Sequence, residues 1–285
     1  LKELINSSQA KPLALKEVLD SVSTDILLDL TPTSLESAPN NLKNAFEKKI
    51  HVVASSKTHL ASRNALENVE KLVKDNNVLF LDCASVMGGV PVFEMLDGIN
   101  AEVREVKGIL NGSSNFILER LEEKEFSEAL HEAIELGHAE ANYQYDLQGH
   151  DTALKVVGLA NKFFNQKIDR TDIRLLSMNN KLGIAGVTKQ NVEELKKQGK
   201  KIKLIAKISR QNGGITASVG PEIVSQDEVL YSVRGTFNAI QIKAIANSSE
   251  LNLFASGPGS GGDATASRVV GNLKKLLTQL ARERK

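Results

Sequence analysis

Short apolar runs alternate with helix-spaced apolar residues through the N-terminal part of the chain. The apolar runs stand at residues 26–28, 52–54 and 78–81, and amphipathic helical patterns lie between them at residues 41–48 and 66–73. Runs of this length are typical of buried strands, so the pattern predicts a β-α-β-α-β unit. Such a unit forms a parallel sheet with right-handed crossovers, and its ligands bind at the carboxyl ends of the strands.

The chain has no glycine before Gly88. A parallel sheet that binds a dinucleotide normally opens with a G-x-G-x-x-G turn, whose backbone meets the pyrophosphate. Either the protein does not bind a dinucleotide, or the first strand, its glycine turn and the first helix precede Leu1 in the complete protein. We expect the second.

Beyond Arg104 the apolar pattern changes, which predicts a second domain. Its predicted helices and strands stand at residues 126–136, 151–164, 202–208, 215–219 and 239–242. The alternation in these strands predicts a sheet with one covered face. A glycine-rich turn at residues 257–262 precedes a final helix, and we expect it to pack closely rather than to hold phosphate. The apolar side of that helix is predicted to contain Val269, Leu273, Leu276, Leu277 and Leu280.

The composition excludes several functional classes. The 36 Lys and Arg residues balance 35 Asp and Glu residues, so the chain lacks the overall positive charge of a nucleic-acid-binding protein. No apolar run approaches the roughly 20 residues that span a bilayer. The single cysteine, Cys83, excludes an internal disulfide framework and fits a reducing compartment. We therefore expect a cytoplasmic protein with no nucleic-acid or membrane partner.

Acidic residues and a lysine cluster between Gly137 and Lys155. Asp151 and Lys155 are four residues apart on a predicted helix, so their charged ends can meet. By spacing alone, the simpler explanation is an exposed ion pair that contributes about 0.2–0.5 kcal/mol. Several carboxylates can, however, hold an ammonium group, and a lysine that they keep charged can donate a proton. The segment then suggests an amino-acid-like substrate, which Lys57, just after the second predicted strand, would approach from the other domain.

Five blocks of sequence, in order, resemble the homoserine dehydrogenase family. Residues 108–118, GILNGSSNFIL, resemble the family segment GILNGTSNYIL. Residues 137–155 resemble its G-Y-A-E-x-D-P-x-x-D-x-x-G-x-D-x-x-x-K signature. Three further blocks, at residues 29–33, 53–57 and 84–91, are similar to family segments in the same order. Because the blocks extend over almost the entire chain, it is identified as a member of that family.

The resemblance implies an α/β protein with two domains. The first is a Rossmann-like parallel-sheet cofactor domain, whose first strand and glycine loop are missing from this sequence, and the second is an α+β substrate-binding and dimerisation domain. The expected ranges are residues 1–104 for the nucleotide-binding domain, 105–256 for the substrate domain and 257–285 for a C-terminal helix that returns to the first domain. The implied activity is the reversible reduction of L-aspartate 4-semialdehyde to L-homoserine with NADP or NAD as the cofactor. A homodimer on the branch toward threonine and methionine would catalyse it.

The same resemblance implies roles for individual residues. Lys155 is expected to be the proton donor and acceptor for the substrate oxygen. Lys57 is expected to help position the substrate and the cofactor. Glu140 and Asp151 are expected to hold homoserine, with Asp146 supporting the acidic pocket.

Further contacts follow from the resemblance. Gly112 and Ser113 are expected to contact the substrate, and Thr31 is expected beside the nicotinamide together with the turn at Gly259 and Gly261. The main-chain oxygens expected to bind a sodium ion belong to Cys83, Val86, Gly88 and Val90.

The sequence departs from the family pattern at two places and leaves two questions open. His138 stands where the family has Tyr, and Asn142-Tyr143 stands where it has Asp-Pro, which bears on substrate affinity. The alternatives to the implied function are a non-catalytic dimeric binding module derived from this fold and an oxidoreductase that acts on a related amino acid. The choice between NAD and NADP stays open, although the lack of an acid at residues 6–8 favours NADP.

Overall fold

A three-stranded parallel sheet forms the N-terminal part of the computed structural model, which describes residues 14–31, 38–139 and 142–283. The strands and helices of this part are β1 (Ile26–Asp29), β2 (His51–Ala54), β3 (Phe80–Leu81), α1 (Leu15–Ser21), α2 (Ala38–Glu47) and α3 (Arg63–Asp75). β2 is the central strand and pairs in parallel with both neighbours. The predicted β-α-β-α-β unit is therefore confirmed.

The third strand is shorter than its apolar run. The prediction began it at Val78, but the Val78 amide donates to the Val73 carbonyl at the end of α3. The Leu79 amide donates to the imidazole of His51. Because both amides are used in this way, strand pairing begins only at Phe80.

A six-stranded sheet forms the second part, in the order β11-β10-β4-β8-β9-β5. The strands are β4 (Glu102–Ile109), β5 (Arg174–Leu175), β8 (Lys200–Gln211), β9 (Gly214–Ser225), β10 (Phe237–Ala246) and β11 (Ser249–Pro258), and a separate hairpin is formed by β6 (Ser177–Met178) and β7 (Lys181–Leu182). Neighbouring strands of the large sheet are antiparallel except for β5 and β9. Together with the parallel sheet, this gives the α/β architecture that the sequence predicts.

Helices cover one face of the six-stranded sheet. They are α4 (Gly112–Arg120), α5 (Phe126–Glu135), α6 (Tyr143–Leu147), α7 (His150–Phe164) and α8 (Lys189–Lys196). The side chains of α7 are buried from Thr152 to Ala160, because this helix lies between the large sheet and the turn that follows β2. The opposite face of the sheet carries charged side chains, such as Glu105 between Lys207 and Lys243. The prediction of one covered face holds only in part, because Ile109, Ile205 and Ala239 on this opposite face are buried beneath residues 229–233.

The C-terminal helix α9 (Gly262–Glu283) packs against the parallel sheet. Its Val269 and Leu276 form one apolar cluster with Val53 of β2 and with Ala84. Leu277 was predicted to share this apolar side, but it is 49% exposed because it follows Leu276 directly and points about 100° away around the helix. The predicted turn at residues 257–262 is also shorter, since β11 continues to Pro258.

Within the ranges that the structure describes, no helix is both long enough and apolar enough to cross a bilayer.

Candidate active site

Lys155 and Asp151 form a buried ion pair on α7. The helix starts after Gly149, whose φ of 86° suits glycine, and a Cβ there would lie 2.8 Å from the Val219 side chain. One helical turn separates the two charged residues, and the Lys155 Nζ lies 2.8 Å from the Asp151 Oδ2. Lys155 is 8% exposed. The simpler explanation, an exposed helix pair, is therefore wrong.

Lys57 reaches the same carboxylate from the parallel sheet. It is the third residue after β2, and its Nζ lies 3.4 Å from the Asp151 Oδ1. Burial alone would raise the pKa of Asp151, but the charges of Lys155 and Lys57 lower it well below its usual value. The carboxylate is therefore ionised at any pH at which the protein works, and it holds two ammonium groups near one point.

The backbone after β4 provides a second partner for the catalytic lysine candidate. The Lys155 Nζ donates to the Leu110 carbonyl oxygen over 2.5 Å. The next residue, Asn111, begins α4 as its N-cap, because its Oδ1 accepts from the Ser114 amide at 2.9 Å. The Asn111 Nδ2 lies 3.5 Å from the Asp151 Oδ2. These contacts tie the start of α4 to the ion pair.

Asp146 adds a second acidic group beside the pair. It lies on α6, and its backbone carbonyl accepts from the Ser114 hydroxyl at 3.3 Å. Burial, and then the nearby charge of Asp151, raise the pKa of the Asp146 carboxyl above its ordinary value. The structure brings Asp146, Asp151, Lys57 and Lys155 together, as the sequence predicts. Glu140 lies outside the described residues, so its role stays a prediction.

Gly112 and Ser113 lie in the first turn of α4. A Cβ at Gly112 would lie 2.5 Å from the Thr236 carbonyl oxygen, so only glycine fits there. The Ser113 hydroxyl donates to the backbone carbonyl of His138, and the His138 ring packs edge-on against Phe116 at 4.9 Å. Because that hydrogen bond uses the backbone, the replacement of Tyr by His at position 138 does not remove it.

Thr31 is held at the carboxyl end of β1 by a carboxylate that the sequence analysis missed. The Asp29 Oδ1 accepts from the Thr31 amide at 3.2 Å and from its hydroxyl at 2.6 Å. The other oxygen of Asp29 accepts from the Ser56 hydroxyl at 2.6 Å. Asp29 thus joins the ends of β1 and β2, at the edge where a parallel sheet binds its ligand.

The turn at Gly259 packs closely on the loop that contains Gly88. A Cβ at Gly88 would lie 2.8 Å from the Gly259 carbonyl oxygen, and the Gly89 amide donates to the Pro258 carbonyl at 3.2 Å. Gly261 has a φ of 104°, which a residue with a side chain rarely adopts. Contact with a cofactor at Thr31, Gly259 and Gly261 stays a prediction.

A buried histidine pair was also missed. His59 is 1% exposed, and its Nε2 lies 2.6 Å from the Asp82 Oδ2 at the end of β3. Burial would raise the pKa of Asp82, but the hydrogen bond from His59 lowers it below its ordinary value. His59 lies in the turn that follows Lys57, so the pair fixes that turn against β3. A histidine and an aspartate so far apart in sequence gave no local signal for this contact.

Sodium is the one metal that the sequence analysis suggested. Its predicted ligands, the carbonyls of Cys83, Val86, Gly88 and Val90, belong to one tight loop in which Met87 (φ 60°) and Gly88 (φ 47°) adopt left-handed backbone. The Val90 carbonyl accepts from the Val92 amide at 2.8 Å, which leaves one lone pair for an ion. Backbone oxygens are suitable ligands for a hard cation, so the donor set fits, and sodium binding stays a prediction. Side-chain clusters of three or more His, Cys, Asp or Glu residues suited to a metal do not occur in the part of the chain that the structure describes.

Cys83 is a buried thiol. Burial, followed by the charge of Asp82, raises its pKa to about 11, so it stays protonated at neutral pH. A protonated thiol is a poor nucleophile.

The chain is similar in sequence to known proteins. A family model described as homoserine dehydrogenase matches residues 91–273. An NAD(+)-dependent homoserine dehydrogenase of Pseudomonas canavaninivorans is 33% identical over 265 residues, which cover 90% of this chain and 72% of that protein. A homoserine dehydrogenase of Bacillus subtilis (strain 168) is 30% identical over 268 residues, which cover 93% of this chain and 59% of that protein.

The fold is also similar to solved structures. A homoserine dehydrogenase from Thiobacillus denitrificans has a TM-score of 0.82 and 28% identity, with 92% of this chain and 59% of that chain covered. The chain therefore spans 59% to 72% of the length of these three relatives. From the matching family model, the extent of the identities and the shared fold, we conclude that the chain belongs to the homoserine dehydrogenase family.

Proposed function

We propose that this chain carries the catalytic site of an NAD(P)-dependent homoserine dehydrogenase, which interconverts L-homoserine and L-aspartate 4-semialdehyde. The observation that supports this function best is the Lys155 ammonium, buried between the Asp151 carboxylate and the Leu110 carbonyl. A proton donor held in this way can serve one substrate oxygen without exchanging freely with water.

Acidic side chains would bind the substrate ammonium. Asp151 is ionised, and its charge is shared with two lysines, so a further cation would be held mainly by Asp146 and by Glu140. The amides and hydroxyl at the start of α4 would contact the carboxylate end of the substrate, because helix N-termini attract anions. This orientation would place the side-chain oxygen of the substrate near Lys155.

Lys155 would then move one proton. In the direction of aldehyde reduction it donates a proton to the substrate oxygen, and in the direction of alcohol oxidation it accepts that proton. A bound nicotinamide supplies or accepts the hydride at the carbon. Lys57 would keep positive charge near the oxygen in both directions, which stabilises the negative charge that develops there.

Residues at the strand ends would hold the nicotinamide. Thr31, positioned by Asp29, and the turn at Gly259 and Gly261 would line its site. The Pseudomonas relative is named NAD(+)-dependent, whereas the absence of an acid at residues 6–8, which lie outside the described residues, favours NADP. Both cofactors therefore belong in the test.

The test is a direct assay of the complete gene product. Nicotinamide absorbance is followed with L-homoserine and each cofactor, and L-serine and L-threonine serve as comparison substrates. We expect homoserine to give the highest kcat/KM. Turnover that favours another amino acid would support the related oxidoreductase, and the absence of both turnover and cofactor binding would support the non-catalytic module.

We also propose that two copies associate through the face of the six-stranded sheet that lies opposite the helices. Phe237 and Phe254 lie on this face and are 48% and 42% exposed. Light scattering should therefore report twice the mass of the chain, and Phe254→Asp should lower it to that of a monomer. Leu277→Asp, at an equally exposed apolar residue of α9, should leave the dimer intact.

We place the protein in the cytoplasm, for which the free thiol of Cys83 is the supporting observation.

A further inference from the structure

Asn238 and Lys155 donate hydrogen bonds to the same backbone oxygen. Asn238 is the second residue of β10 and is 1% exposed. Its Nδ2 donates to the Leu110 carbonyl oxygen at 3.1 Å, and the same oxygen accepts from the Lys155 Nζ at 2.5 Å. A carbonyl oxygen has two lone pairs, so the amide of Asn238 occupies one acceptor direction and leaves the other to Lys155. The direction in which Lys155 approaches therefore depends on Asn238.

The same side chain also limits the position of the Gly259 turn. A Cβ at Gly259 would lie 2.0 Å from the Asn238 Cγ and Nδ2. On its other side this turn is in close contact with Gly88. Gly259 is thus packed between Asn238 and the loop after β3, with no room for a side chain at this position.

The Asn238 side chain does not have all of its own hydrogen-bonding groups satisfied. Its Oδ1 is buried and has no hydrogen-bond partner among the described residues. A buried acceptor without a donor is unfavourable, and an apolar side chain of similar size would avoid that cost. The advantage of asparagine at this position lies instead in the two elements that it contacts.

We propose that Asn238 is a positioning residue that holds the Lys155 ammonium and the Gly259 turn in a fixed position relative to each other. The inference rests on the proposed function, in which Lys155 moves the proton and the Gly259 turn lies beside the nicotinamide. Hydride and proton transfer require these two parts to be held within a fraction of an ångström of each other, and Asn238 contacts both. It acts on the reaction through Leu110 and Gly259 and does not touch the reacting atoms.

The first test compares Asn238→Ala and Asn238→Asp with the wild type in the complete gene product. We expect kcat to fall by about 10- to 100-fold in both variants, because one side chain no longer positions both Lys155 and the Gly259 turn. The KM for homoserine should change little. In Asn238→Asp, the negative charge near Lys155 should also move the acidic limb of the kcat profile for homoserine oxidation to higher pH, because Lys155 must accept a proton in that direction. A merely structural role would lower the melting temperature without moving this limb.

The second test is a double-mutant cycle with Gly259→Ala. Alone, the added methyl group collides with the Asn238 amide and should reduce kcat. In the Asn238→Ala background the colliding atoms are gone, so the further loss from Gly259→Ala should be much smaller. Asn252→Ala is the matched control, since Asn252 is an exposed residue of β11 whose Oδ1 accepts from the Gln241 side chain. Its kinetics should equal those of the wild type.

The outcomes separate this inference from the function on which it rests. A wild type without homoserine turnover would overturn both. An active wild type, with an unchanged pH profile in Asn238→Asp and additive losses in the cycle, would overturn the positioning role alone. Where Asn238→Ala fails to fold, the isosteric Asn238→Asp variant still decides by its pH profile.

Discussion

The Lys57 ammonium lies 3.4 Å from the Asp151 carboxylate, although one residue follows a strand of the parallel sheet and the other begins a helix that packs on the large sheet. The second oxygen of the same carboxylate binds Lys155 at 2.8 Å. One carboxylate therefore connects the two sheets at the point where we place the reaction. The shared anion offsets part of the cost of placing the two lysines there.

Lys155→Met should remove the group that donates and accepts the substrate proton, and leave the fold intact. Methionine matches the apolar length of lysine, and Lys57 remains to compensate Asp151. We expect kcat for homoserine oxidation to fall by about 100- to 10,000-fold. Steady-state kinetics and circular dichroism measure the two properties separately.

Lys162→Met is the control for this variant, because Lys162 lies on the same helix with a side chain that is 44% exposed. Its kcat should be that of the wild type. Near-normal turnover in Lys155→Met would remove Lys155 from the mechanism.

Asp151→Asn should destabilise the protein in a pH-dependent way. The substitution leaves the buried Lys155 and the partly buried Lys57 without their anion, which we expect to cost about 3–5 kcal/mol in the free energy of unfolding at neutral pH. The lowered pKa of Asp151 means that its ionisation stabilises the folded state above the unfolded pKa of about 3.9. That contribution is lost as the pH falls through the folded pKa, so the two proteins should approach each other in acid.

Urea unfolding at a series of pH values between neutrality and about pH 3 measures this difference. The exposed Asp97→Asn is the control and should follow the wild-type curve at every pH. If the free energies of unfolding of the wild type and Asp151→Asn differed by the same amount at every pH, the two lysines would not favour ionisation of the Asp151 carboxyl in the folded state.

Much of the fold could be predicted because it depends on short-range patterns. The apolar runs of β1 and β2 and the helical spacing of α3 are visible in any window of the sequence. β4 was missed as a strand because its alternating residues, Glu105 and Lys107, are charged. Their charges are compensated only by partners from distant segments, such as Lys243 and Glu228.

The candidate site shows the same division. The spacing of Asp151 and Lys155 predicted their contact but not their burial, which arises because α7 lies against β8 and β9. The contacts of Asn238 with Leu110 and of Asp29 with Ser56 join residues from different strands. Such contacts depend on the order in which strands assemble, and no local spacing contains that order.

Asp146→Asn should weaken substrate binding and increase the stability of the protein. Burial and the Asp151 charge raise the pKa of Asp146, so its ionisation disfavours the folded state at neutral pH. We expect the variant to melt roughly 1–3 °C higher at pH 7, with the difference vanishing below the unfolded pKa of about 3.9. The KM for homoserine should rise about 10-fold, because the substrate ammonium loses a charged partner.

Thermal scans at pH 7 and at about pH 3.5, together with homoserine kinetics, measure both effects. A variant that melts lower than the wild type at pH 7 would show that the Asp146 carboxylate has a stabilising partner. An unchanged KM would remove Asp146 from the substrate site.

Gly112→Ala should damage the site through the backbone alone. The new methyl group would lie 2.5 Å from the Thr236 carbonyl oxygen, so the start of α4 must move away from β10. Asn111 caps this helix and lies beside Asp151, so the movement should lower kcat as well as the melting temperature.

Gly271→Ala is the matched control for this last substitution. Gly271 is an exposed residue of α9, and a Cβ there meets nothing within 4 Å. Because alanine favours a helix over glycine, this variant should be more stable by about 0.5–1 kcal/mol, with unchanged kcat. Equal melting temperatures and equal kcat values for the two variants would contradict the close packing of α4 on Thr236.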